Sequence, residues 1–220
     1  MNLLEDPRFA LYEEILLREN AKYNLTAITD TAEIRQKHFA DSLALLDDLE
    51  LPPGAAVLDV GSGAGFPGVP LALARPDWRV TLLEATGKKA RFLQMLASEL
   101  GLPLAVIHAR AETAAHDPAL RARFDLVTAR AVAALPLLCE LCLPYVKVGG
   151  IFAAYKGAGE RAGAELEQAR HAMAVLGARC EKITEETTAY GQRTRIMLRK
   201  RSQTPTMYPR NHGAMRKKPL

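Results

Sequence analysis

Val57-Leu58-Asp59-Val60-Gly61-Ser62-Gly63-Ala64-Gly65-Phe66-Pro67-Gly68 decides the fold of this chain. A short apolar run ends near an acid and enters a turn with four glycines in eight residues, Gly61 to Gly68. A helical stretch follows. Glycine permits positive φ and close approach of backbone to a ligand. The helix start beyond it leaves N–H groups unpaired. A loop that only reversed the chain would lose entropy at four glycines and pack nothing in return. The stretch therefore reads as strand, ligand loop and helix.

Two ligand classes fit. Gly63 to Gly68 matches G-x-G-x-x-G, the dinucleotide fingerprint, with Glu84 about 20 residues on to hold a ribose. The same residues match the Asp-x-Gly-x-Gly-x-Gly loop of enzymes that use S-adenosylmethionine. There Gly61, Gly63 and Gly65 line the cofactor and Glu84, ending the next strand, grips the ribose hydroxyls. Asp59 favours the second class. An acid repels a pyrophosphate but suits a sulfonium that also carries an ammonium group.

Outward from this loop, short β-rich runs alternate with helical stretches. Strands are expected at Ala55–Val60, Arg79–Glu84, Leu104–Ala109, Phe124–Ala129 and Ile151–Tyr155. Helices are expected at Gly65–Ala74, Lys88–Leu100, Leu135–Tyr145 and Glu160–Leu176. Cys180–Thr188 and Thr194–Lys200 form a closing antiparallel pair. This alternation predicts a mainly parallel sheet covered on both faces, with the ligand site along the C-terminal edge of the strands. Before Gly54 the chain reads as helices. Asp6-Pro7 starts one, with Leu11, Tyr12, Ile15 and Leu16 as its apolar stripe. A second starts near Thr31 and carries Ile34, His38, Ser42 and Leu45 along one side.

The 220 residues, 49% apolar and 25% charged, exclude bulk disorder and a disulfide-built miniprotein. No run of about 18 apolar residues marks a membrane span. The acidic start, MNLLEDPRFALYEE, lacks the pattern of a secretory signal. Three cysteines point to a reducing, cytoplasmic setting. Cys139 and Cys142 offer half of a structural zinc's ligands and no second pair exists, so no metal is expected. The net charge of +4 is unevenly spread. Residues 191–220 hold nine Lys/Arg and no Asp/Glu, leaving 20 basic against 25 acidic residues elsewhere. A basic end on an acidic body suggests a polyanionic partner, or simply a solubilising end.

Further motifs stand in order along almost the whole chain. They are Asn24-Leu25-Thr26-Ala27-Ile28, His38-Phe39-Ala40-Asp41-Ser42-Leu43, Leu82-Leu83-Glu84 with Lys88-Lys89, Ala109-Arg110-Ala111-Glu112, Ala129-Arg130-Ala131, Lys156-Gly157 and Tyr208-Pro209-Arg210. Together with Asp59 to Ala72 they resemble the bacterial glucose-inhibited division protein B family, RsmG. These are guanine-N7 methyltransferases of 16S ribosomal RNA. Met207 and Met215 depart from the family's usual tail, where Lys and Pro stand.

The resemblance implies an α/β fold, a Rossmann-like class I methyltransferase with a seven-stranded sheet and an N-terminal helical extension. Residues 1–54 would be that extension, 55–201 the core and 202–220 a basic tail, within one structural domain. It implies S-adenosylmethionine as cofactor. Gly61 and Phe66 would contact it in the first loop, Ala111 and Glu112 would meet the adenine, and Arg130 would line the site. Asn24, His38, Asp41, Lys88, Lys156, Arg193 and Arg210 are candidates for the RNA side. Each has a plainer reading as a turn, helix-face or solvated charge. The partner would be 16S RNA, in the 530-loop region, or a 30S-type particle. The protein would act as a monomer, with no membrane. No residue is expected to act as a chemical catalyst. The rival classes are a nicotinamide-dependent oxidoreductase, a small-molecule methyltransferase and a non-enzymatic RNA-binding assembly factor.

Overall fold

The computed structural model describes residues 3–156 and 162–220. A 3₁₀ turn at Leu3–Glu5 precedes α1 (Pro7–Tyr23). Asp6 caps α1 by accepting the Arg8 N–H at 2.9 Å, and Pro7 takes the first helical position. The helix stops at Asn24, whose φ of 52° is left-handed. The next helix begins as expected, with Asp30 accepting the Glu33 N–H at 2.9 Å. It is not uniform. α2 (Thr31–Ile34) passes into a π-helical turn (Arg35–Ala40), then α3 (Asp41–Leu43) and a 3₁₀ turn (Ala44–Asp47). The wider turn carries His38 and delivers Asp41, a setting in which π-turns often serve function.

The rest alternates: β1 (Ala56–Val60), α4 (Gly68–Ala74), β2 (Arg79–Glu84), α5 (Gly87–Glu99), β3 (Ala105–His108), α6 (Ala111–Ala114), β4 (Phe124–Arg130), α7 (Leu135–Cys142) and β5 (Val146–Lys156). Then come α8 (Ala162–Leu176), β6 (Ala178–Thr188), β7 (Gly191–Lys200) and α9 (His212–Lys217). The seven strands make one sheet, ordered β3-β2-β1-β4-β5-β7-β6. β1 to β5 run parallel, while β7 lies antiparallel between β5 and β6. This is the expected Rossmann-like methyltransferase architecture. The chain steps outward from β1 to β3 and returns through β4 on the other side. Ligands in such sheets bind at that switch point, beyond the strand C-termini.

Some boundaries differ from expectation. The helix after the glycines starts at Gly68, not Gly65, because Gly65 has φ +103° and prolongs the turn. Leu135–Tyr145 is α7 followed by a 3₁₀ turn at Leu143–Tyr145. α6 and α9 add helices the sequence pattern missed. The start of the helix expected over Glu160–Leu176, and Gly157, lie outside the described residues.

Strand alternation sorts the core into two layers. Val57, Leu126 and Ala153 pack with Phe9, Tyr12, Leu16, Phe39, Leu71 and Phe92. Leu58, Val127 and Phe152 pack with Leu138, Leu141, Ala172, Leu176 and Met215. The N-terminal helices therefore share a core with the sheet. Asp59, Thr128 and Arg130 are in step with Val57 and Leu126, so they face those helices. Cys139 and Cys142 are buried in the second layer, where burial pushes the Cys139 thiol up to about 12. Among the described residues no cluster of His, Cys, Asp or Glu is suited to a metal ion. No described helix is long and apolar enough to cross a membrane.

Candidate functional site

The glycine loop is held from three sides. The Gly61 N–H donates to the Leu83 carbonyl at 2.8 Å. The Tyr12 hydroxyl donates to the Ala64 carbonyl at 2.6 Å. The Gly63 N–H donates to Glu84 Oε2 at 2.9 Å. Two glycines are required by space as well as by φ. A Cβ at Gly65 would come within 2.5 Å of the Tyr12 hydroxyl, and one at Gly61 within 2.8 Å of a Val132 methyl. Glu84 is pinned at the strand end, since its Oε1 also accepts the Thr86 N–H at 2.7 Å.

Asp59 corrects one expectation. It is wholly buried beneath the loop and presents no face to a ligand. Its Oδ2 accepts the Gly68 N–H at 3.2 Å and its Oδ1 accepts the Thr128 hydroxyl at 2.9 Å. Burial raises this carboxyl to about 6, against the pull of those hydrogen bonds. Asp59 thus fixes the start of α4 to β1 and β4.

Three hollows adjoin along the strand C-termini. One, of about 150 Å³, is walled by Gly61, Leu83, Ala111, Glu112, Val132 and His212. A second, of about 250 Å³, is walled by Thr26, Gly61, Gly63, Phe66, Lys89 and Arg130. The third, of about 520 Å³, is walled by Lys37, His38, Asp41, Arg130, Lys156 and Arg193. Gly61 belongs to the first two, and His38, Arg130 and Ala131 to the last two. The sheet edge therefore carries one continuous trench.

Arg130 is shared by the second and third hollows. It donates to Asp41 Oδ2 at 3.1 Å and to the Lys37 carbonyl at 3.2 Å. Its guanidinium lies 4.9 Å from the centroid of the Phe66 ring, on which His38 stacks at 4.5 Å. Arg193 reaches the other Asp41 oxygen at 3.6 Å. A guanidinium can only donate, so its 3.1 Å contact makes His38 Nδ1 an acceptor. The proton then sits on Nε2, which donates to the Thr26 hydroxyl at 2.9 Å. Nδ1 also lies 3.2 Å from the Lys37 carbonyl, a contact this tautomer leaves without a proton. Burial, aided by the Arg130 charge, lowers His38 to about 4. His38 is therefore neutral near pH 7.

The other sequence candidates divide. The Lys156 ammonium is held by the Ala133 carbonyl at 3.0 Å and by Glu165 at 2.9 Å. Glu112 accepts from Arg110 at 2.6 Å. Lys88 is exposed on the first turn of α5. Asn24 is an exposed helix stop. Arg210 lines none of these hollows, because its guanidinium is spent on Glu140, which is 1% exposed. Part of the basic end is likewise tied down, while Arg201, Arg216, Lys217 and Lys218 are exposed. Arg195 pairs with Asp48, Arg199 with Glu181, and Lys200 is buried against the Leu176 carbonyl. Sequence reasoning missed Asn20, whose side-chain oxygen accepts the Leu25 and Thr26 N–H groups at 2.8 and 3.0 Å and so sets the Thr26 loop. It also missed Tyr155, which donates to the Ser42 carbonyl at 2.8 Å and lines the large hollow. Tyr155 acts across 113 residues, which no local pattern signals, whereas Asn20 acts only five and six residues along the chain, as a side-chain stop for α1.

The family described as rRNA small subunit methyltransferase G, GidB, matches residues 5–195. The chain belongs to this family. A ribosomal RNA small subunit methyltransferase G from Geobacillus kaustophilus is 44% identical over 97% of this chain and 90% of its own length. That of Acetivibrio thermocellus is 42% identical over 97% and 88%. Among solved structures, a geranyl diphosphate methyltransferase in complex with GPP and sinefungin superposes with a TM-score of 0.57. It is 15% identical, over 73% of this chain and 77% of its own, a likeness of fold alone. Family membership and methyltransferase fold agree with the trench just described, in which glycine loop and Arg130 cluster are neighbours.

Proposed function

We propose that this chain transfers a methyl group from S-adenosylmethionine to N7 of a guanine in 16S ribosomal RNA, in the 530-loop region. It acts as a cytoplasmic monomer on the RNA or on a 30S-type particle. Residues 55–201 are the catalytic core, 1–54 contribute the wall that bears His38 and Asp41, and 202–220 form a basic C-terminal segment. The observation that carries the reading is the continuous trench at the switch point, with Arg130 common to the hollow at the glycine loop and the larger one beyond it.

The residues present fit the cofactor. Gly61, Gly63 and Phe66 would hold its amino-acid end, Glu84 the ribose hydroxyls, and Ala111 and Glu112 the adenine, while Gly65, packed on Tyr12 and lining no hollow, would shape the loop from beneath. Glu84 is buried and lines none of the three hollows, but each of its oxygens accepts one backbone N–H and has a second lone pair left for a hydroxyl. When bound, S-adenosylmethionine supplies an electrophilic methyl on a sulfonium sulfur.

Guanine N7 offers an in-plane lone pair and bears no proton at neutral pH, so no general base is needed. The site agrees. His38 is neutral and hydrogen-bonded at both nitrogens, and Asp59 is sealed beneath the loop. What remains for the protein is alignment, which can lower a barrier by about 7–11 kcal/mol. Phe66, clamped between Tyr12, His38 and Arg130, is rigid enough to fix the floor. Arg130 and Arg193, each paired with Asp41, keep a net positive wall toward RNA phosphates.

The test is incubation with labelled S-adenosylmethionine and 16S RNA, or 30S particles, from a strain lacking the protein, followed by mapping of the modified base. Label at guanine N7 is expected. Binding of RNA without label in either substrate would favour the assembly-factor reading instead.

A further inference from the structure

The C-terminal segment is built into the wall of the smallest hollow. Arg121 gathers it: one guanidinium donates to the carbonyls of Thr204, Pro205 and Tyr208 at 3.0, 3.1 and 2.8 Å, and to Ala115 at 3.1 Å. His116 Nε2 donates to the Pro209 carbonyl at 3.0 Å. Glu140 accepts both the backbone N–H and the side chain of Arg210. Met215 is fully buried in the second core layer. The anchors on the core side thus sit on or beside α6 and α7. Those helices also carry Ala111, Glu112 and Leu141 into the small hollow. From the segment itself, His212 lines that hollow together with Gly61.

We infer that residues 202–220 complete the cofactor chamber, and that His212 is a contact residue for the purine end of the cofactor. The inference rests on the proposed use of S-adenosylmethionine and deepens it. An imidazole at the wall offers a flat ring and a ring nitrogen to an adenine. It explains why a segment with so many basic residues spends Arg210 on a buried clamp. The clamp sets the entry of α9, and α9 sets His212.

The test compares wild type with His212→Ala in calorimetric titrations without RNA. His212 is half-buried and its neighbouring cap, Asn211, is untouched, so the fold is retained; equal thermal midpoints check this. Two probes are used, S-adenosylmethionine and 5′-methylthioadenosine, which keeps the nucleoside but lacks the amino-acid end. Both should bind His212→Ala roughly threefold to tenfold more weakly, and by the same factor. Unchanged affinity for either probe would overturn the inference. If wild type bound neither probe, the proposed cofactor use would fail first, a result separable from failure at His212 alone.

Discussion

Both terminal segments are stapled to the core by an arginine and a buried carboxylate, one on the sheet and one on α7, yet the two staples differ in what they face. At the N-terminal staple, Asp41 is shared between Arg130 and Arg193, and all three border the large hollow. At the C-terminal staple, Glu140 takes three donors from Arg210 alone, and none of its atoms borders a hollow described above. The chemistry is the same. The difference is whether the pair encloses space. One staple therefore shapes a binding site, and the other holds a segment in place.

The contrast breaks most readily at the closed staple. Arg210→Ala leaves the Glu140 charge buried without its guanidinium, with only the backbone N–H of residue 210 as partner, which should cost about 3–5 kcal/mol in chemical denaturation. A double variant, Arg210→Met with Glu140→Leu, should recover most of that loss. If Arg210→Ala unfolds like wild type, the two staples are not distinct in kind. Arg130→Ala, at the open staple, should act mainly on rate. Loss of alignment predicts a fall of roughly 100-fold in single-turnover methyl transfer, with a smaller loss of stability.

Asp59 sharpens the comparison by pH. Its folded carboxyl stands near 6, above its ordinary value of 3.8. The folded state therefore binds the extra proton between those values. The stabilisation is present below about 4 and fades as pH rises through 6. Wild type should gain stability relative to Asp59→Asn as pH falls from 7 to 4.5, by about 2 kcal/mol. A constant difference across that range would remove the assigned burial effect. The smallest effect is at α5. Lys88→Ala should weaken RNA binding only a few-fold and reduce the magnitude of the salt slope by about 1. An unchanged slope would place Lys88 outside the RNA path.

Much of this architecture was legible before any coordinates. Periodicity and glycine placement gave the alternating strands, and β2 fell on Arg79–Glu84 as read. Local chemistry sufficed there. It failed where distant groups decide the outcome. Asp59 seemed to face a ligand, but Thr128 and the Gly68 N–H, far apart in sequence, fold over it. Of the nine basic residues after position 190, strand pairing puts four in β7 and Arg210 finds Glu140 across 70 residues, while Arg201, Arg216, Lys217 and Lys218 are exposed. The π-helical turn at Arg35–Ala40 broke the period on which a regular helix was expected, and it sets the positions of His38 and Asp41. Family motifs located the N-terminal block, while only the fold showed that Thr26, His38, Asp41 and Arg130 meet.

Single-turnover methyl transfer measured from pH 7 to 8.5 tests the core idea that alignment, not proton transfer, drives this site. With His38 neutral throughout that range, the rate should stay level for wild type. A limb of unit slope that vanishes in His38→Gln would contradict it and make His38 a proton carrier.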